Sequence, residues 1–154
     1  MAKIGEVEAY LQQHIPITAP MGVRVRACGL DGVTLTAPLA ANVNHRATVF
    51  GGSASAVAIL SAWTWLHFAL RDDDLPCRIV IQRNQMDYLL PIDGDFAVIC
   101  DGLSATHLDK LKRTLRRHGK ARTNLSAKLL LKGTTVARFA GDYVAVLNSH
   151  LSSD

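Results

Sequence analysis

Residues 42–63 read NVNHRATVFGGSASAVAILSAW, and this stretch decides the fold. Gly51 and Gly52 stand before a run of small and aliphatic residues, and no charged side chain occurs from Ala47 to Leu70. A run of that length can span a bilayer. Serines, a threonine and a histidine dilute it, however, and the strand-rich remainder of the chain can cover an apolar helix with a sheet. We therefore predict a buried helix over residues 53–70 and no membrane span.

The composition indicates one globular domain over residues 1–154. The chain is 49% hydrophobic and 19% charged, which is enough apolar material for a sizeable core. Its net charge of +4 permits a nucleic acid, an anionic lipid or a phosphorylated small molecule as partner. Because no nucleic-acid motif and no interleaved aromatic residues accompany the cations, we expect no nucleic-acid partner.

The cysteines indicate a reducing compartment and no metal site. Cys28, Cys77 and Cys100 are odd in number and widely spaced, without a CxxC pair or the histidine spacing of a zinc site. The first residues also lack the apolar run of a secretory signal. We therefore expect free thiols and a cytoplasmic protein.

The periodicity of the remaining chain predicts strands around three helices. Ile4, Val7, Leu11 and Ile15 form one apolar stripe of an N-terminal helix that Pro16 ends. Alternating patterns bounded by turn residues predict strands at residues 22–30, 31–40, 77–90, 96–103, 121–133 and 134–147.

A short basic helix interrupts these strands. Leu108, Leu111 and Leu115 share one stripe, and Gly119 ends the segment. The other faces carry five cations within eight residues: Lys110, Lys112, Arg113, Arg116 and Arg117. They suit a phosphorylated or acidic partner, or simply a solvated helix face.

Adjacent strands favour hairpins, so we predict an α+β fold with an antiparallel sheet. A central helix this apolar requires a sheet that curls around it.

Three segments together resemble the hotdog-fold thioesterases: APLAANVNHRATVFGGSASAVAILSAW, MDYLLPIDGDF and GKARTNLSAKLLLKGTTVARFAGDYVAV. The most similar family is a bacterial thioesterase family that is also found fused C-terminal to a GNAT-type acetyltransferase. The resemblance implies an antiparallel sheet wrapped around a long central helix. It also implies a homodimer or a dimer of dimers with its sites between subunits.

The resemblance assigns site residues with one departure. Related thioesterases place an asparagine in the loop, a glycine pair at the helix start and an acidic residue two turns later. Asn44, Gly51 and Gly52 match the first positions, but Ile59 stands where the acid is expected. Hydroxyacyl dehydratases pair a loop histidine, here His45, with that same acid, so a dehydratase is disfavoured.

The helix start suits an oxyanion. Its first N–H groups have no intrahelical partner and carry the positive end of the helix dipole. A thioester oxygen that approaches Gly52 would be polarised there. Tight packing of the glycines against a strand is the competing interpretation.

Three further residues are candidates for handling water. Asn44 can orient water or occupy a turn, and His45 can act as a base near neutral pH or remain solvated. Asp87 is the most attractive carboxylate elsewhere, because it lies at an otherwise apolar strand end; a solvent-facing position is the competing interpretation. Ser53 is predicted mainly to cap the helix, with binding of the carbonyl as its second role.

The predicted catalytic residues are therefore Asn44, His45, Gly52 and Asp87. The predicted substrate contacts are Phe50, Gly51, Ser53, Tyr88 and Arg122. The expected substrate is an acyl-CoA or an acyl carrier protein thioester, with the acyl chain beside Val57, Ile59 and Leu60 and with no cofactor or metal. The alternative is a module that binds such thioesters without hydrolysing them.

Overall fold

The computed structural model describes residues 2–151 and contains one six-stranded antiparallel sheet with three α-helices. The helices are α1 (Ile4–His14), α2 (Gly51–Arg71) and α3 (Ala105–His118). The strands are β1 (Arg24–Gly29), β2 (Gly32–Ala37), β3 (Cys77–Tyr88), β4 (Phe96–Cys100), β5 (Lys120–Leu131) and β6 (Thr134–Leu147). Short 3-10 turns occupy Pro16–Thr18 and Asn148–His150.

The strand order is β1-β2-β4-β5-β6-β3, so that β1 and β3 form the two edges. Every neighbouring pair is antiparallel. The β3–β6 and β5–β6 ladders are long, whereas β4 pairs with β5 over only three residues, Ala97–Ile99. Helix α3 packs against β5.

The sheet curls around α2, whose apolar side chains form the centre of the core. Trp65, Leu66 and Phe68 are fully buried on this helix. Two buried hydrogen-bond donors fix its position: the Tyr143 hydroxyl donates to the Ile59 carbonyl at 2.7 Å, and the Trp65 indole donates to the Leu30 carbonyl at 3.1 Å. The helix is long and apolar enough to cross a membrane by composition, but 67% of its most apolar window is buried inside the fold. We therefore interpret α2 as a core helix.

Helix α1 covers one side of α2 with a narrower stripe than the periodicity predicts. Val7 and Leu11 are buried, but Ile4 is 45% exposed because it lies in the first turn, beyond the edge of the core. The Glu8 carboxylate accepts a hydrogen bond from the Val25 N–H at 2.9 Å, which attaches α1 to the first strand.

The predicted α+β class and hotdog architecture are confirmed. The basic helix ends as predicted at Gly119, which adopts a left-handed conformation with φ of 71°. The central helix begins at Gly51, two residues before the predicted start, and this shift changes the roles of the residues at its N-terminus.

Candidate active site

The N-terminus of α2 presents two free backbone donors. Phe50 is the N-cap, and its carbonyl accepts the N–H groups of Ser53 at 2.9 Å and Ala54 at 3.1 Å. Among residues 2–151, nothing accepts a hydrogen bond from the N–H of Gly51 or Gly52. These two donors lie at the positive end of a 21-residue helix, which is a suitable place for a developing negative charge.

The expectation that Ser53 caps the helix is wrong. Ser53 is the third helical residue, and the helix has no side-chain cap, because Phe50 occupies the N-cap position. A serine at that depth in the first turn cannot accept from the free N–H groups in the usual capping geometry.

Tyr88 and Phe50 flank the glycine pair. The Tyr88 hydroxyl, at the end of β3, donates to the Gly51 carbonyl at 2.8 Å. Desolvation raises the pKa of this phenol, so it stays protonated as a donor. The Phe50 ring lies against Gly52 so closely that a Cβ at Gly52 would come within 2.5 Å of it. Both predicted substrate contacts are therefore beside the helix start.

Asn42 holds the approach to the helix, a role that the sequence analysis did not assign. Its side chain is 3% exposed, and its amide donates to the carbonyls of Met21 at 2.9 Å and Pro38 at 2.8 Å. Its own carbonyl accepts the Phe50 N–H at 2.7 Å. The sequence NVN contains two asparagines, Asn42 and Asn44. Their burial in the structure distinguishes them, but the sequence pattern does not show which one is buried.

Asn44 closes a small hairpin that carries His45 at its tip. The Asn44 side-chain oxygen accepts the N–H groups of Arg46 at 2.8 Å and Thr48 at 3.2 Å, and its amide donates to the Thr48 hydroxyl at 2.9 Å. This is the turn interpretation of Asn44. One amide hydrogen remains for a ligand or water. His45 is exposed in the turn, and the hairpin leads directly into Phe50.

Asp87 points away from the helix start. A bulge between Ile81 and Arg83 shifts the alternation of β3, so that Tyr88 faces α2 and Asp87 faces the opposite side of the sheet. There it lies opposite Arg138 on β6, and Lys128 on β5 continues the row. The subunit therefore does not bring Asp87 together with Gly52.

Arg122 and the basic helix lie at the other end of the subunit. Arg122 is in register with Val80 through Val144. Tyr88 pairs with Ala137, so its row lies about 23 Å along the strands from that of Arg122. Asp73, just after α2, contacts Lys112 at 3.7 Å and also pairs with Arg116. Arg122 borders a cavity of about 320 Å³ with a mixed polar and apolar lining, to which Lys110 also contributes.

An apolar groove runs along α2 from Ala56, one helical turn after Gly52. Gly52, Ala56, Ile59 and Trp63 recur at helical spacing, so they share one face of the helix. From Ala56 onward this face forms the floor of a cavity of about 260 Å³. Its walls come from the segment before β1 and include Ile15, Ile17, Thr18 and Met21.

The site is poor in acids and in metal ligands. Helix α2 contains no aspartate or glutamate, and Ile59 lines the groove at the position where the resemblance expects an acid. Among the residues that the structure describes, no group of three or more His, Cys, Asp or Glu side chains could hold a metal ion. The three cysteines are free.

Comparison with known proteins relates the whole arrangement to one family. Residues 4–147 match the YiiD_C family model, described as "Putative thioesterase (yiiD_Cterm)". A protein of unknown function from Chlorobaculum tepidum TLS has a similar structure, with a TM-score of 0.87, 26% identity and 94% coverage of both chains.

Two further solved structures share the fold at lower identity. A "putative thioesterase" from Shewanella oneidensis has a TM-score of 0.83 at 24% identity, over 93% of this chain and 96% of that one. A thioesterase from Haemophilus influenzae has a TM-score of 0.75 at 10% identity, over 100% of this chain and 96% of that one. At these identities the likeness supports the architecture alone.

Proposed function

Because the chain belongs to the YiiD_C family, we propose that it is an acyl thioester hydrolase with its oxyanion site at the start of α2. The observation that carries the proposal is the pair of free N–H groups at Gly51 and Gly52, one helical turn before Ala56, where an apolar groove along α2 begins. The donors suit the carbonyl oxygen of a thioester, and the groove suits its acyl chain.

In the proposed reaction, the thioester carbonyl oxygen accepts the Gly52 N–H. A water oxygen attacks the carbonyl carbon and the oxygen becomes an oxyanion, which a backbone donor stabilises more strongly than the neutral carbonyl. The carbon–sulfur bond then breaks. The proton lost by water passes to a base and from it to the departing thiolate, so the products are a carboxylic acid and a thiol.

We assign the base to His45 rather than to Asp87. His45 lies on the hairpin that leads into the helix start, and an imidazole can take and return a proton near neutral pH. Asn44 would orient the water with its remaining amide hydrogen. Asp87 faces the other side of the sheet, so it could act only if another subunit presented it to the site.

The acyl chain would lie in the groove beside Val57, Ile59 and Leu60. The lining of this cavity is almost wholly apolar. Burial of methylene groups there would contribute affinity in proportion to the area removed from water. Ile59, which replaces the acid expected from the resemblance, would therefore contact the acyl chain.

A homodimer would complete this site. Strand β3 is a 12-residue edge strand, and Val80 on it is 48% exposed, which suits pairing with a second copy. Antiparallel pairing of two β3 strands reverses one subunit relative to the other. The partner subunit's Arg122 would then lie at the same end of the sheet as Gly52, where it could bind a phosphate of CoA or of a carrier-protein prosthetic group.

The three free cysteines suit a reducing cytoplasm, where acyl-CoA and acyl carrier proteins are found.

A non-catalytic binding module is the second candidate, and the absence of a carboxylate from α2 favours it. Thiol release from a panel of acyl-CoA esters separates the two functions. Hydrolysis predicts equal amounts of free CoA and carboxylic acid. Saturable binding of the same esters without thiol release from any of them, or from acyl carrier protein thioesters, would establish the binding module instead.

A further inference from the structure

The groove along α2 ends at a wall that the proposed function does not explain. Trp63 lines the far end of the cavity, and its indole N–H donates to the Ile79 carbonyl at 3.2 Å. The ring stacks on His67 with 4.8 Å between the centroids and 8° between the planes. His67 in turn stacks on Tyr10 of α1 at 4.8 Å. A hydrogen bond and a stack of rings therefore hold Trp63 in place.

We propose that Trp63 sets an upper limit on acyl length and makes the enzyme selective for medium-chain acyl thioesters. This inference rests on the proposed function, because it requires the thioester carbonyl to lie at Gly52. The acyl chain then extends from Gly52 across Ala56 and Ile59 and meets the indole of Trp63.

The distance along α2 from Gly52 to Trp63 supports a medium chain. Trp63 lies eleven residues after Gly52, which is about 16 Å along a helix. An extended chain advances roughly 3.5 Å for every three covalent bonds. The side chain of Trp63 occupies the last part of this distance, so the straight path accommodates on the order of ten carbons.

The volume of the groove agrees with its length. The cavity measures about 260 Å³. A dry apolar cavity of ~150 Å³ holds one benzene molecule, so by proportion this groove accommodates about ten carbon atoms. Length and volume therefore indicate the same limit, and each methylene that fits beneath Trp63 should raise kcat/KM about fourfold.

Two variants that act in opposite directions test the wall. Chain-length profiles from butyryl- to palmitoyl-CoA are measured for the wild type, Trp63→Ala and Ala56→Leu. The wild type should show a maximum near decanoyl-CoA. In Trp63→Ala, about two further methylenes of myristoyl-CoA should be buried. The ratio of kcat/KM for myristoyl-CoA to kcat/KM for decanoyl-CoA should therefore rise about sixteenfold. Ala56→Leu narrows the groove near the carbonyl and should move the maximum to shorter chains.

A second readout is independent of hydrolysis. The dissociation constants of non-hydrolysable acyl-CoA thioethers are measured over the same lengths, and these should show the same maximum and the same two shifts. If the enzyme hydrolyses the esters and neither variant changes the chain-length profile, Trp63 does not limit acyl length. The proposed hydrolase function would stand in that case. Length-selective thioether binding without any turnover would overturn the hydrolase and support the wall. Equal affinity for thioethers of all lengths would by itself contradict the proposed limit at Trp63. If Trp63→Ala fails to fold, the profile of Ala56→Leu decides the question.

Discussion

The Tyr88 hydroxyl donates a 2.8 Å hydrogen bond to the carbonyl of Gly51, the first residue of the central helix. This bond connects the end of the edge strand β3 to the helix start that we propose as the oxyanion site. Strand and helix thereby fix the direction of the two free N–H groups. Such preorganisation is what allows a backbone donor to stabilise a transition state at little further cost.

Loss of that hydroxyl should loosen the helix start. We expect Tyr88→Phe to lower the free energy of unfolding by about 1 kcal/mol, the usual net value of one hydrogen bond, and to lower kcat several-fold. Chemical denaturation and steady-state kinetics measure the two effects. Tyr10→Phe is the matched control, because Tyr10 contacts His67 through its ring, which phenylalanine retains. Equal kcat in the two variants would show that Tyr88 does not position the site.

Paired substitutions decide which group activates water. If His45 is the base, His45→Gln should lower kcat by about 100-fold or more. Asp87→Asn should leave kcat within a factor of about two, since Asp87 faces away from Gly52. The reverse result, with Asp87→Asn inactive, would mean that a partner subunit delivers the carboxylate.

The edge strand β3 should mediate assembly. Val80→Lys places a charge on an exposed apolar position of that edge and should shift the protein from dimer to monomer, as measured by light scattering after size-exclusion chromatography. Leu30→Lys is the control, because Leu30 is 59% exposed in the β1–β2 turn, at the opposite edge of the sheet from β3. A dimer that survives Val80→Lys and dissociates in Leu30→Lys would place the interface elsewhere.

The stacked His67 should make stability depend on pH. Burial, together with Arg71 and His14, lowers its pKa from 6.5 to about 4, although Asp72 acts in the opposite direction. Between these values the unfolded chain binds a proton that the folded chain does not. Stability should therefore fall as pH falls from 6.5 towards 4 and should level off below that. Because part of the ring is solvated, we expect a loss of roughly 1–2 kcal/mol.

His67→Phe isolates this effect, since phenylalanine retains a flat ring between Trp63 and Tyr10 but does not titrate. The unfolding free energy of the wild type, followed by urea denaturation across pH 4–7, should fall towards pH 4 relative to that of His67→Phe. A difference that stays constant with pH would show that His67 titrates normally.

The elements of this fold were predictable because their patterns are local. Apolar periodicity identified α1 and α3, an uncharged run of small and aliphatic residues identified α2, and alternation with turn residues identified the six strands. The start of α2 was placed two residues late because Phe50 is not a capping residue type, whereas Ser53 is. Only the surrounding loop, held by the buried Asn42, reveals where the helix begins.

The candidate site was harder to predict because it depends on geometry that one residue can change. Strict alternation from Ile79 and Ile81 would turn Asp87 towards the helix. The bulge before Arg83 adds a residue and turns Tyr88 inward instead. No residue type in IQRNQ marks that bulge. The position of Arg122 depends likewise on a second subunit, which a single sequence cannot locate.

The central claim is that the Gly52 N–H stabilises the oxyanion, and the most direct test is to compare kcat for Gly52→Pro and Gly52→Ala. Both variants bring a Cβ against the exposed ring of Phe50, but only proline removes the N–H. The first helical turn tolerates proline, because that N–H has no acceptor. We predict that Gly52→Pro has a kcat about 100- to 1,000-fold below that of Gly52→Ala, with similar melting temperatures. Equal kcat in the two variants would contradict the account.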